Sequence, residues 1–164
     1  MGRLYTLEDW ESIINTIREN FNDATIATDI IVGFPGESKD DFDLTLDVIR
    51  RTRPSVVNIS KYGDRPDTLA SKSKNKVETS TKKQRSRRLT MLVNRILLEE
   101  NKSWVGWSGP AIVTEKGSRS GLLCRNSSYK SIIVHDELHL GSIVNVQVID
   151  AARTHLIGEI ISSA

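Results

Sequence analysis

Four features of this chain have residue types that could do chemistry. The first is Gly33-Phe34-Pro35-Gly36-Glu37, where a β-branched run hands over to a polar, helix-starting one. In parallel α/β architectures ligands bind at the carboxyl ends of strands, and small residues there let backbone amides approach a substrate. The same residues also make an ordinary tight turn. The second is a crowd of cations, Lys82, Lys83, Arg85, Arg87 and Arg88, at the expected start of a helix. Positive charge there opposes the helix macrodipole. Local stability does not account for it, so a polyanion partner and a plain solvated face both stay open. The third is His135 and His139, four apart. A zinc helix of the HExxH type needs glutamate directly after the first histidine, but Asp136 stands there, in a strand-and-turn context; no metal site is expected. The fourth is the single cysteine, Cys124, flanked by apolar residues and expected to be a buried thiol. One cysteine makes no internal disulfide, and iron–sulfur clusters are usually held by three or four.

The elements that must position these residues are legible from periodicity. Thr6 can cap a helix, with Asp9 three residues on and Leu7, Trp10, Ile13, Ile14 and Ile17 at helical spacing. Residues 25–32, TIATDIIV, read as a buried strand. Ser38 and Asp41 offer a second capping box before a helix carrying Phe42, Leu46 and Ile49, and Pro54 ends it. Residues 55–60, SVVNIS, read as another strand. Helix, strand, helix, strand with short links is the rhythm of parallel βα units. Residues 61–80 read as a long polar loop. A basic helix then starts near Thr79–Thr81, with Leu89, Leu92, Val93, Ile96 and Leu97 as its apolar stripe. From about Trp104 the period becomes two, and AIVTEKG, SGLLCRN, SIIVHDE, SIVNVQVIDA and HLIGEIIS read as five short strands. So many closely spaced strands point to a small closed barrel, since closure removes exposed edges. The fold class is therefore α/β followed by all-β, with domains at 1–102 and 103–164.

Composition narrows the class without choosing a function. Hydrophobic residues at 38% and charged residues at 27% exclude wholesale disorder. A net charge of +2 permits an RNA partner without requiring one, because clustering is what matters. No apolar run is long enough to span a bilayer, and no secretory signal follows Met1. A soluble, cytoplasmic protein is expected, with no membrane partner.

Residues 25–60, TIATDIIVGFPGESKDDFDLTLDVIRRTRPSVVNIS, followed by RPDTLASK, resemble the second half of the radical S-adenosylmethionine barrel of tRNA methylthiotransferases. RLYTLEDWESII resembles the helix before it. The form VVNISKYGDRP is closer to the archaeal and eukaryotic branch, which acts on N6-threonylcarbamoyladenosine. One residue departs: Asp67 stands where the family usually has glycine. The tail, VTEKGSRSGLLCRNSSYKSIIV with GSIVNVQVIDA and HLIGEI, resembles the TRAM domain that ends these enzymes, a small OB-like barrel that binds tRNA.

The resemblance implies the end of a partial TIM-like βα barrel joined to an RNA-binding barrel, working in insertion of a methylthio group at carbon 2 of a modified adenosine beside the anticodon. It implies S-adenosylmethionine and [4Fe-4S] clusters as cofactors, with the cluster cysteines on an amino-terminal part, so the chain by itself is expected to be silent. No catalytic residue is assigned within it. Asp29, Ile31, Gly33, Pro35 and Gly36 would line the S-adenosylmethionine side, and Arg65 would lie near the substrate. Lys116, Arg119, Arg125, Asn126, Tyr129 and Lys130 match the basic and polar positions of the RNA-binding barrel. Cations for phosphates, an aromatic for stacking and amides for base edges make physical sense of that set. Two other classes stay open: a stand-alone RNA-binding module, and a non-enzymatic assembly protein that dimerises through exposed barrel edges.

Overall fold

Both expected capping boxes are in place in the computed structural model, which describes residues 4–117 and 121–163. Helix α1 (Leu7–Asn20) starts at Thr6, whose hydroxyl accepts from the Asp9 amide while the Asp9 carboxylate accepts from the Thr6 amide. Helix α2 (Lys39–Thr52) repeats this with Ser38 and Asp41. Each box satisfies amide donors that a helix start leaves unpaired. Arg53, in the left-handed region, closes α2, and Pro54 follows it. Between the helices lies β1 (Ala27–Val32), and after α2 comes β2 (Val56–Lys61). The two strands pair in parallel, with Asp29 opposite Asn58 and Ile31 opposite Ser60.

Strand β1 starts two residues later than its β-branched run. The Thr25 hydroxyl instead donates to the Ser128 carbonyl at 2.5 Å, and the Ile26 amide donates to the Ser55 hydroxyl. Burial along β1 alternates: Thr28, Ile30 and Val32 are half-buried or buried, whereas Ala27, Asp29 and Ile31 are exposed. Among the described residues this sheet has two strands, so one face and the outer edge of β1 lie open.

Helix α3 (Thr79–Lys102) is unbroken over 24 residues and buries Leu89, Leu92, Val93 and Ile96. The chain divides into two compact units. The first gathers the segment up to Asn22 with Ile26–Ile96; the second gathers Asp23–Thr25 with the segment from Leu97 onward.

The second unit holds a closed five-stranded barrel of β3 (Ser108–Lys116), β4 (Leu122–Asn126), β5 (Ser131–Val134), β6 (Ile143–Ala151) and β7 (Leu156–Ser163), in the order β3-β4-β5-β7-β6. The pairs are antiparallel except β5 with β7, and β3 closes onto β6. All five expected strands are present. Strand β3 begins three residues before the expected Ala111, because Ser108, Gly109 and Pro110 pair with Gln147, Val146 and Asn145 to close the ring. The interior is filled by alternate residues, among them Val113, Cys124, Ile132, Val134, Val144, Val146, Val148 and Leu156. Burial pushes the Cys124 thiol pKa up, which suits an inert core residue.

The capping carboxylates fix a pH dependence. Asp9 and Asp41 are held below the usual carboxylate range, chiefly by the backbone amides of Thr6 and Ser38. Their stabilisation is fully present above the unfolded value of about 3.9. It is lost as the pH falls through the lower folded values. Asp9→Asn combined with Asp41→Asn, which removes the titrating groups themselves, should therefore reduce helicity at neutral pH and shrink the acid-induced loss of circular dichroism below about pH 4.

Candidate functional site

The strand-end turn is built as an internally bonded knot. Gly33 takes φ +75°, and a Cβ there would press into the Lys82 side chain, so any other residue would be strained. The Gly33 amide donates to the Glu37 carboxylate. The Gly36 amide donates to the Asn75 carbonyl at 2.8 Å, and the Glu37 amide donates to the Phe34 carbonyl at 2.9 Å. These amides are therefore engaged by the protein itself.

Three of the five cations at the start of α3 are committed to the same region. Arg85 pairs with Glu37 at 2.9 Å, the two side chains being only 11% and 13% exposed, and also donates to the Glu37 carbonyl. Lys82 donates to the Tyr62 carbonyl and lies 5.2 Å from the centre of the Tyr62 ring, whose edge meets Phe34. Arg88 pairs with Asp43, and Arg85 and Arg88 both lie over the Phe42 ring. The unfavourable charge at the start of this helix thus has a tertiary explanation at Lys82, Arg85 and Arg88. Lys83 and Arg87 remain exposed.

Asp29 and Ile31 project from the open sheet face, and Asp29 accepts from the Asn58 amide group at 2.8 Å. A cleft of about 390 Å³ runs beside β1, lined by Tyr5 and Trp10, by Thr28 to Ile31, and by Leu44 and Val48 of α2. Gly33 is buried, Pro35 half-buried and Gly36 exposed. Arg65 is exposed in the loop after β2. Asp67, two residues on, has φ +64°. A left-handed backbone explains why glycine suits this position, and aspartate is among the side chains that tolerate it.

In the second unit the predicted residues fall into distinct environments. Lys116 is exposed at the end of β3. Arg119 lies outside the described residues. Arg125 and Tyr129 stack, the guanidinium carbon 4.6 Å from the ring centre. Asn126 is 6% exposed; its side-chain oxygen accepts from the Lys130 amide, and its side-chain nitrogen is buried with no partner among the described residues. Lys130 is tied inward, donating to Asn101 and lying over the Trp104 ring. Burial lowers its pKa, and Glu100 opposes that shift. Asn101, which sequence reasoning missed, donates to the Ala152 and Arg153 carbonyls from the end of α3. Nothing in local periodicity marks it. His135 and His139 are exposed, and among the described residues no group of three acidic, histidine or cysteine side chains could hold a metal. Among the described residues no helix is long and apolar enough to cross a membrane.

Along the chain, an α/β unit is thus followed by a closed barrel. No family model matches the chain. The chain is a relative of the carboxy-terminal part of tRNA methylthiotransferases. It is 38% identical over 160 residues to a probable threonylcarbamoyladenosine tRNA methylthiotransferase of Archaeoglobus fulgidus, covering 98% of this chain and 37% of that protein. Against the protein of the same description from Pyrococcus horikoshii it is 38% identical over 162 residues, covering 99% and 38%. A tRNA-2-methylthio-N(6)-dimethylallyladenosine synthase of Caldicellulosiruptor saccharolyticus is 35% identical over 164 residues, covering 98% and 35%. The chain thus spans little more than a third of the length of these curated relatives.

Four variants test the site's architecture by urea denaturation. Arg85→Ala should lower stability by about 3 kcal/mol, leaving Glu37 nearly buried without its partner, whereas Lys83→Ala should change it by less than about 0.5 kcal/mol. At the left-handed position, Asp67→Gly should be neutral within about 1 kcal/mol, while the β-branched Asp67→Val should lose about 1–2 kcal/mol.

Proposed function

We propose that this chain is the carboxy-terminal portion of a cytoplasmic enzyme that places a methylthio group on carbon 2 of N6-threonylcarbamoyladenosine, beside the anticodon of a tRNA. The observation that carries the reading is the one-sided sheet. Parallel strands are almost always covered on both faces, yet here one face and the β1 edge are open, with a cleft beside β1. Such a surface suits one wall of a larger βα barrel whose other strands belong to an amino-terminal part, and it disfavours a stand-alone binding module.

In this reading Asp29 and Ile31 face S-adenosylmethionine from the open face, and Gly33, Pro35 and Gly36 shape the turn at its margin. The Gly33 and Gly36 amides are engaged, so these residues act through shape and carbonyl oxygens rather than donated hydrogen bonds. Arg65, exposed in the loop after β2, would lie near the modified base. Bound S-adenosylmethionine, reduced by one electron from an iron–sulfur cluster held on the amino-terminal part, would supply the radical chemistry that an aromatic C–H bond requires. An iron–sulfur cluster does not fit these residues: the one cysteine is sealed in the barrel core. The second unit, a closed five-stranded barrel of the general OB kind, would serve as a TRAM-like domain that holds the tRNA, with Lys116 and Arg119 near phosphates.

Joined to the amino-terminal part of an archaeal relative, the chain should restore methylthiolation, read as the added mass of the modified nucleoside. Asp29→Ala should reduce that yield. Failure to restore, where the relative's own carboxy-terminal part succeeds, would refute the proposal; so would methylthiolation by the chain alone with iron, sulfide and S-adenosylmethionine.

A further inference from the structure

The turn between β4 and β5 holds a tyrosine in a way that folding alone does not require. Tyr129 has φ +62°, a conformation unfavourable for a bulky side chain and natural for glycine or asparagine. Its ring contributes nothing to the core, being 66% exposed. Nevertheless the turn is fixed on every side. The Tyr129 amide donates to the Asn126 carbonyl at 2.9 Å. The Lys130 amide donates to the Asn126 side chain at 2.9 Å, and the Arg125 guanidinium donates to the Tyr129 carbonyl at 3.2 Å. The Thr25 hydroxyl donates to the Ser128 carbonyl from outside the turn. The guanidinium also lies on the ring.

We infer that Tyr129, backed by Arg125, is a preorganised platform on which one unpaired nucleobase of the RNA stacks. The inference rests on reading the barrel as RNA-binding, and it adds that recognition here is by stacking on a fixed ring rather than by phosphate contact. A cation beneath the ring fixes its plane and brings positive charge close to the bound strand without using up the outer ring surface. Because the turn is already ordered, binding loses little conformational entropy. Arg125 is thereby a positioning residue: its guanidinium is occupied by the ring and the Tyr129 carbonyl.

The test uses the whole chain and a single-stranded oligoribonucleotide carrying one 2-aminopurine, with affinity measured across a salt series. Tyr129→Asn is the informative variant, because asparagine accepts the left-handed backbone and keeps the turn folded. It should weaken binding by about 5- to 100-fold, leave the slope of log affinity against log salt unchanged, and abolish the quenching of 2-aminopurine. Tyr129→Phe should retain both affinity and quenching. Lys116→Ala should instead reduce the salt slope by about one. Unchanged affinity and quenching in Tyr129→Asn would overturn the platform while leaving RNA binding intact. Absence of any RNA binding by the unaltered chain would overturn both.

Discussion

A nearly buried ion pair between Glu37 and Arg85 organises the first unit. Glu37 ends the strand-to-helix turn and also accepts the Gly33 amide, so one carboxylate closes the turn and receives the long helix. Taking two charges out of water is unfavourable unless their remaining hydrogen-bonding capacity is satisfied. Here it is used on both sides, because Arg85 also reaches the Glu37 carbonyl. Around this pair Lys82 fills the space that a side chain on Gly33 would need, and Phe42 receives two guanidinium groups. A turn that looks like a ligand cradle in one dimension is, in three, also the socket for a helix.

The same arrangement shows what the sequence can and cannot announce. Capping boxes, strand alternation and the apolar stripe of α3 depend on residues a few positions apart, and each is legible directly. The partners of the α3 cations are not: Glu37 and Asp43 lie more than forty positions from Arg85 and Arg88. Read locally, those charges oppose the helix dipole and point outward to a polyanion. Tertiary contacts overrule that for three of them and leave Lys83 and Arg87 outside. Asp67 makes the complementary point, since an oddity of residue type is explained once its left-handed backbone is seen. Strand β3 was obscured in its first residues for a related reason: Ser108-Gly109-Pro110 has turn chemistry but is recruited to close the ring against β6.

Within the tail, residue type alone grouped six positions as one binding surface, and burial separates five of them. Lys130 and Asn126 are tied into the protein, Lys130 to the end of α3 and Asn126 to the turn that carries Tyr129. Lys116 is exposed, whereas Arg125 and Tyr129 form a stacked pair. Basic and polar residues of this barrel therefore fall into two kinds, and sequence cannot say which is which, because a lysine that fastens a helix and a lysine that is free to meet solvent or a ligand have the same side chain. Only the environment of the ammonium group distinguishes them.

A net charge of +2 bears on how such a surface could grip a polyanion. Counterion release scales with the number of phosphates neutralised, and this chain commits several of its cations to internal carboxylates, carbonyls and rings. Among the described barrel cations, Arg125 lies on the Tyr129 ring and Lys130 donates to Asn101, whereas Lys116 is exposed. Under the proposed function, affinity for RNA would draw also on ring stacking, a term that does not depend on net charge. An exposed tyrosine held in an unfavourable backbone conformation would supply that term, which gives its conformation a use that folding does not.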